Sequence, residues 1–325
     1  MSKGLYPFGL NHYRSLKFQK LRKLISKNQR KIKVEGAYGS SLSFLLIDIF
    51  SSINQQIFYI SNSKETALYV YSDIVELIGE INCSFLPSNY RSDAKKIKDE
   101  SNIINRSKTI RDILDNETKI IVTYPEAIFE KIPNEKEIDS KTINIEKGQF
   151  LKINSINELL FDLKFEKDDY VQQPGDFAKR GNIVDIFSFA YTSPLRIEFD
   201  GDTVESIREF NIDTQYSTKE LVEAKIIPDF SNESLIKRAN SIVELIDINT
   251  TLLVEEIDSI KKQLSKNFME NKNEYSDRLF LKEIDERKII HLNNFNKDFD
   301  IKLDIVQQPA FNKKFEILND ELKYY

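Results

Sequence analysis

Apolar residues in the first part of this 325-residue chain recur with two different periods. From Tyr13 to Lys27 they fall at roughly helical spacing among Lys and Arg, which predicts an amphipathic first helix. Lys31 to Gly36 then alternates apolar and polar residues like a short strand, and a helix-like segment follows through Ile49. The same order repeats, with further strands predicted at Ile57–Ser61, Cys83–Leu86 and Lys119–Pro125. Strands separated by helices predict a parallel α/β layer.

The middle of the chain, from about residue 147 to 228, is denser in β-branched and aromatic residues and carries turn signals such as Asp200-Gly201-Asp202. Just before that turn, the apolar residues Leu195, Ile197 and Phe199 alternate with charged residues. A period of two that ends in an Asp-Gly turn predicts a half-buried strand of a hairpin. This segment is therefore predicted to be an inserted α+β domain rich in strands.

The last part of the chain returns to the alternation of strands and helices. Thr250 to Val254 reads as a short buried strand, and a helix is predicted through Ile260 and Leu264. We place the first domain boundary in the polar stretch from about residue 134 to 146. The predicted organisation is an α/β domain in two segments, 1–146 and 229–325, interrupted by an inserted domain at 147–228.

Composition places the chain among soluble globular proteins, with 40% hydrophobic and 30% charged residues. The net charge of -5 argues against a broad basic surface of the kind that dominates non-specific DNA affinity. The single cysteine, Cys83, cannot form an intrachain disulfide, and two histidines beside it give no zinc-ligand spacing. No signal peptide and no apolar run long enough to cross a bilayer is visible, so we expect a cytoplasmic protein without a membrane partner or metal site.

A short glycine- and serine-rich segment lies where a phosphate-binding loop belongs, between the first strand and the following helix. It comprises Gly36, Gly39, Ser40, Ser41, Leu42 and Ser43. A working GxxxxGK[ST] loop needs a second glycine, a lysine for the β- and γ-phosphates and a hydroxyl for Mg²⁺, and those positions read Ser41, Leu42 and Ser43 here. The segment is either a degenerate nucleotide loop or a plain turn that opens a helix. In both cases we expect no nucleotide to bind.

The acidic partner of such a loop is equally weak. Asp99 follows a lysine-rich segment and reads as a helix cap or loop. Glu255 and Glu256 follow a hydrophobic run, so they are either a remnant of a Mg²⁺ site or an ordinary carboxylate pair at a sheet edge. His12 and His291 have no nucleophile motif nearby. We assign no catalytic residue.

Residues Tyr170 to Ser217, which contain the motifs PGDFAKRG, IVDIF, LRIEFDGD and ESIREF, closely resemble a signature shared by excinuclease B and bacterial transcription-repair coupling factors. The segment from Gln307 to Leu318 resembles the coupling-factor branch, and Leu42 in place of lysine favours the same branch. The chain is thus similar to the amino-terminal, excinuclease-B-like module of coupling factors. The resemblance implies a helicase-like α/β fold of the RecA type with a degenerate P-loop.

The resemblance also implies a partner, because the inserted domain of this family binds excinuclease A through arginines of these motifs. Carried over, the arginines are Arg180 and Arg196, and Gly181 and Phe199 belong to the same implied contact. Alternation puts Arg196 on the strand face opposite Leu195, so we expect its guanidinium to be free for a forked pair with a partner carboxylate.

Three points about this contact stay open in the sequence. An ion pair of Arg196 within the domain, with Glu198 or Asp185, is the alternative to a free guanidinium. Gly181 is a candidate bulge that would re-aim Arg180. Asp200 stands where related coupling factors can carry a second aromatic residue.

Two functions are compatible with the sequence. The first is a non-catalytic module that recruits excinuclease A, while RNA polymerase, duplex DNA, ATP and Mg²⁺ are bound by a motor and other regions outside this chain. The second is an ATP-dependent, damage-binding enzyme of the excinuclease B type. Leu42, Ser41 and the lack of an aromatic-rich hairpin after the loop favour the first. A masking role, in which the chain hides the partner site against other domains, is compatible with it.

Overall fold

The computed structural model describes residues 16–27, 29–89, 99–230, 232, 239–271, 277–293, 298–303 and 305. The resemblance noted at Gln307–Leu318 and the residue His12 lie outside these ranges. The helices are α1 (Leu16–Ser26), α2 (Ser40–Ile53), α3 (Lys64–Ile78), α4 (Glu100–Leu114), α5 (Pro125–Ile128), α6 (Glu135–Ser140), α7 (Ile153–Asp162), α8 (Ile242–Leu245), α9 (Ile257–Asn271) and α10 (Asp277–Asp285).

The strands are distributed along the whole described part of the chain. They are β1 (Lys31–Glu35), β2 (Ile57–Ile60), β3 (Cys83–Phe85), β4 (Ile120–Thr123), β5 (Ile132–Pro133), β6 (Ile143–Glu146), β7 (Glu166–Lys167), β8 (Asp176–Arg180), β9 (Ile183–Ile186), β10 (Leu195–Asp200), β11 (Thr203–Phe210), β12 (Ser217–Leu221), β13 (Glu223–Ile226), β14 (Ala239–Asn240), β15 (Thr251–Glu255), β16 (Ile289–Leu292) and β17 (Ile301–Lys302).

A seven-stranded sheet carries the α/β part of the molecule, in the order β17-β1-β16-β15-β2-β4-β3. Every neighbouring pair in it is parallel. Along β2, Ile57 and Tyr59 enter one apolar core with α1, α2 and α3, whereas Phe58 and Ile60 enter a second core with α4, α9 and α10. Strands buried on both faces explain the continuous apolar runs in the sequence. The predicted parallel α/β fold is confirmed.

The second sheet has six strands in the order β12-β11-β10-β9-β8-β7. Its neighbours are antiparallel except β7 and β8. One face packs on α7 through a core that includes Ile156, Val184, Leu195 and Ile197. The opposite face carries Asp185 of β9, Arg196 and Glu198 of β10 and Arg208 of β11, so the period of two in β10 separates a core face from a polar face.

β6 and β13 form a separate antiparallel pair, and along the chain they lie just before and just after the six-stranded sheet. Ile145 of β6 and Ile226 of β13 are fully buried in the same core as the six-stranded sheet. The polar stretch in which we placed the first boundary therefore contains a strand that packs with the inserted segment. The boundaries themselves stay a prediction.

Candidate glycine loop and docking face

The glycine-rich loop lies at the carboxyl ends of the parallel strands, directly after β1. Gly36 and Gly39 both have positive φ, +90° and +54°, which glycine adopts without strain. A Cβ on Gly36 would come within 2.6 Å of the Leu303 carbonyl oxygen, so another segment of the chain packs tightly against this turn. The loop has the predicted position between a strand and a helix.

The side chain of Asn293, the residue after β16, is hydrogen-bonded to the backbone of the loop. Its Oδ1 accepts hydrogen bonds from the backbone N–H groups of Gly36 (3.2 Å) and Ala37 (2.9 Å), and its Nδ2 donates to the Ala37 carbonyl (2.7 Å). Its own backbone N–H donates to Val34. Backbone N–H groups of this kind cradle phosphate in a working loop. Here two of them already have a buried acceptor from the same chain.

The positions that would carry the lysine and the Mg²⁺ hydroxyl are turned to other uses. Leu42 is only 2% exposed and belongs to the apolar core under α2. Ser43 is buried, and its hydroxyl donates to Asp73 of α3 (3.0 Å). The Ser41 hydroxyl accepts a hydrogen bond from the backbone N–H of Tyr38, two residues after Gly36, and donates one to the Tyr38 carbonyl. The expectation that no nucleotide binds here stays a prediction.

The acidic candidates also have partners within the fold. Glu255, at the end of β15, accepts hydrogen bonds from the Tyr59 hydroxyl (2.8 Å), the Ser61 hydroxyl (3.1 Å) and the Asn62 backbone (3.3 Å). The pKa of this carboxyl is raised above its ordinary value, because burial raises it by more than the hydrogen bonds lower it. Asp99 accepts from the Asn102 backbone and caps α4, as the helix-cap interpretation predicts.

The two arginines singled out in the sequence meet on the polar face of the six-stranded sheet. Arg196 of β10 forms a forked pair with Asp185 of β9, Nε to Oδ1 at 2.8 Å and Nη2 to Oδ2 at 2.9 Å. Arg180 of β8 donates to the same Oδ2. Two guanidinium groups thus share one carboxylate, whose side chain is only 2% exposed.

The expectation that the Arg196 guanidinium is free is wrong, and the alternative of an ion pair with Asp185 is correct. The strand register explains it, because Arg196 lies directly opposite Asp185 on the neighbouring antiparallel strand and on the same face. The Arg196 side chain is 15% exposed, whereas the Arg180 side chain is 37% exposed. The hydrogen bonds that Arg196 donates to the Asp185 carboxylate raise the pKa of its guanidinium.

Gly181 does not form the expected bulge, and Phe199 is buried; a partner contact at Gly181 stays a prediction. Gly181, with φ +62°, opens the two-residue turn between β8 and β9, and Arg180 pairs with Ile183 across it without a bulge. Phe199 is 1% exposed and lies in the core under the sheet, on the same side as Leu195. An aromatic ring buried there cannot contact a partner.

Several residues around the arginines were not identified from the sequence. The Arg196 guanidinium lies over the Phe210 ring at 4.3 Å and donates to Gln215, whereas the Arg180 guanidinium lies over the Tyr170 ring at 5.2 Å. In β11 the buried apolar residues Val204, Ile207 and Phe210 are spaced by three, so a period of two gives no signal for Phe210. The contacts of Tyr170 and Gln215 come from loops, for which no spacing rule applies.

Comparison with known proteins gives one family match and several relatives. Residues 143–231 match the UvrB interaction domain family. The chain is 27% identical to the transcription-repair-coupling factor of Bacillus subtilis over 194 residues, 59% of this chain and 16% of that protein. It is 28% identical to the Rickettsia bellii factor over 229 residues, 70% of this chain and 19% of that protein. It is 25% identical to the UvrABC system protein B of Lactobacillus johnsonii over 63% of this chain and 33% of that protein.

These matches confirm the resemblance to the excinuclease-B-like module of transcription-repair coupling factors. The chain spans 16% and 19% of the length of the two coupling factors named above. Among the helices of the described residues, none combines the length and the apolar character needed to span a membrane.

Proposed function

We propose that this chain is a non-catalytic recruitment module that docks excinuclease A through the polar face of its six-stranded sheet. The observation that carries the proposal is the pair of arginines that share Asp185 within the segment matched to the UvrB interaction domain. Coupling of stalled RNA polymerase to repair, and contact with duplex DNA, ATP and Mg²⁺, belong in this proposal to regions outside the chain.

The charge of the cluster supports an acidic partner. Arg180 and Arg196 bring two positive charges and Asp185 one negative charge, so one positive charge is left over. Arg180 is the more exposed of the two and is therefore the arginine that offers its guanidinium to a partner carboxylate. Arg196 holds Asp185 in place from the other side and positions the cluster.

The geometry of the glycine loop supports a module without turnover. Leu42 is buried in the core and cannot reach a phosphate, and Asn293 holds two of the loop's backbone N–H groups. The second candidate, an ATP-dependent enzyme of the excinuclease B type, is favoured by the position of this loop after a strand and by the similarity to UvrABC system protein B. ATP titration of the chain separates the two candidates.

The test is calorimetric titration of the chain with purified excinuclease A. We expect Arg180→Ala to weaken binding by about 2 kcal/mol, since a charge pair that loses one partner leaves the other unpaired. Arg22→Ala is the matched control, because Arg22 is 36% exposed and pairs with the buried Asp48 just as Arg180 is 37% exposed and pairs with Asp185. Arg22 lies on α1, away from the six-stranded sheet.

Equal loss in the Arg180 and Arg22 variants would show a general effect on folding and contradict the assignment of the face. Undiminished binding in Arg180→Ala and Arg196→Ala would place the contact elsewhere. Heat from ATP binding to the wild-type chain would support the excinuclease B candidate instead.

A further inference from the structure

Two strongly exposed tyrosines border the arginine pair. Tyr170 is 59% exposed and Tyr216 is 78% exposed. Tyr170 lies under the Arg180 guanidinium, and Tyr216 directly follows Gln215, whose side-chain and backbone oxygens accept from Arg196. Single exposed aromatic residues are common on protein surfaces. Two of them at opposite ends of one arginine cluster form a combination that is typical of the centres of protein interfaces.

The backbone that carries each tyrosine is anchored to the sheet. Val171, next to Tyr170, and Ile212, in the loop before Tyr216, both pack in a small apolar cluster with Ala178 and Phe187. This cluster lies beside Asp185 on the same face, because Ala178 is the register partner of Asp185. The backbone segments that carry both tyrosines are therefore held in place by packing in the absence of a partner.

Hydrogen bonds within the second loop hold the position of Tyr216. The Asn211 side chain accepts from the backbone N–H groups of Asp213 (3.0 Å) and Thr214 (2.9 Å), and the Asn211 N–H donates to the Tyr216 carbonyl (3.0 Å). A side chain that projects from a constrained loop loses less conformational entropy when it is covered. Contact of a partner with the exposed ring of Tyr216 thus involves a small loss of conformational entropy.

The charges around the tyrosines limit the chemistry of that partner. The arginine cluster has one surplus positive charge, which matches one carboxylate. Asp168 and Asp169 precede Tyr170, so a chain of closely spaced phosphates or acidic side chains would meet carboxylates at this end. A polypeptide with a single carboxylate flanked by apolar side chains satisfies the arginines and covers both rings.

We infer that Tyr170 and Tyr216 are contact residues that frame Arg180 and Arg196, and that the surface they form takes a segment of excinuclease A with one carboxylate between apolar side chains. This inference rests on the proposed function and adds to it the two aromatic contacts and the chemistry of the docked segment. Arg180 pairs with the carboxylate, and the tyrosine rings pack on the apolar groups on either side of it.

The test is titration of excinuclease A into the chain and into the variants Tyr170→Ala, Tyr216→Ala and the double variant. We expect the double variant to bind roughly tenfold or more weakly, since interface tyrosines are frequent hot spots. Tyr69→Ala is the matched control, because Tyr69 on α3 is 76% exposed and lies on the other sheet's helical layer. We expect Tyr69→Ala to bind like the wild-type chain.

Wild-type affinity in the double variant, with binding by the unmodified chain intact, overturns this inference and leaves the proposed function standing. No binding by the unmodified chain overturns the proposed function and the inference with it. A third arm titrates a single-stranded oligonucleotide. Saturable oligonucleotide binding that is lost in the double variant overturns the inference, because the rings would then serve nucleic acid.

Discussion

The glycine loop and the arginine face are the two candidate sites of this chain, and they differ in what their polar groups leave for a ligand. In the loop, Asn293 satisfies the Gly36 and Ala37 N–H groups, and Leu42 is buried. On the arginine face, one buried carboxylate serves two guanidinium groups. A loop whose N–H groups at Gly36 and Ala37 already have an acceptor offers fewer donors to a ligand, whereas a surplus positive charge beside exposed rings is still able to pair with one.

The same comparison separates two kinds of evidence for function. A motif at the expected position, such as the loop after β1, indicates where a ligand would bind. The hydrogen-bond partners of its polar atoms indicate whether those atoms are available to a ligand. Three variants test this distinction, in order from the largest expected effect to none.

Asp185→Ala should have the largest effect on stability. The variant leaves the Arg196 guanidinium, 15% exposed, and the Arg180 guanidinium without their shared carboxylate. Removal of one partner of a buried ion pair costs about 3 kcal/mol or more in the free energy of unfolding. Urea unfolding followed by circular dichroism measures the change, and Asp213→Ala, at an exposed position of the same sheet's loop, is the control.

An unfolding midpoint that is the same for Asp185→Ala and the wild-type chain would mean that the arginines find other partners. In that case Asp185 does not organise the docking face.

Asn293→Gly should have a smaller effect, confined to the glycine loop. Asn293 has φ +60°, which glycine also tolerates, so the variant removes the hydrogen bonds without adding backbone strain. We expect a loss of about 2 kcal/mol, because the Gly36 and Ala37 N–H groups are left without their acceptor. Hydrogen exchange at these two amides should accelerate as well, and mass spectrometry can follow it.

The matched control is Asn54→Gly. Asn54 caps α2 with φ 48° and lies at the surface, so its replacement should leave stability almost unchanged. Protection of the Gly36 and Ala37 amides that persists in Asn293→Gly would contradict the role given to Asn293.

Ser41→Gly combined with Leu42→Lys should leave ATP binding absent. The substitutions restore the loop's missing glycine and lysine, but Asn293 still occupies the two amides and the helix still buries position 42. We expect no binding of a fluorescent ATP analogue up to about 1 mM, a concentration that corresponds to a binding free energy of about −4 kcal/mol. Binding that is tighter than this would mean that the sequence change alone closed the site.

Addition of Asn293→Gly to this variant sharpens the result. If analogue binding appears only in the triple variant, Asn293 is the group that closes the loop.

Most of the fold follows from local patterns. The apolar runs gave the parallel strands β2, β4 and β15, and the period of two gave β10. The pairing of β6 with β13 was not predictable, because its two short strands are far apart in sequence and β6 lies in a polar stretch. Periodicity identifies an element, but the identity of a distant pairing partner depends on tertiary packing.

The sites show the same limit. Alternation already grouped Phe199 with Leu195 and Ile197, and its burial follows that pattern rather than the role implied by the resemblance. Arg196 and Asp185 were one of two options, and only the register of β9 and β10 decides between them. Asn293 gave no signal at all, because nothing in the sequence near it points to a loop 256 residues away at Ala37.

The pairing of β6 with β13 has an evolutionary consequence. Ile143 and Ile226 are register partners, so the segment between them leaves and rejoins the chain at neighbouring points. A module with adjacent ends can be gained, exchanged or removed by one recombination event while the host sheet keeps its connections. A short flexible linker in place of residues 143–226 should therefore leave the parallel sheet able to fold, and the excised piece has adjacent ends that suit insertion into another host protein.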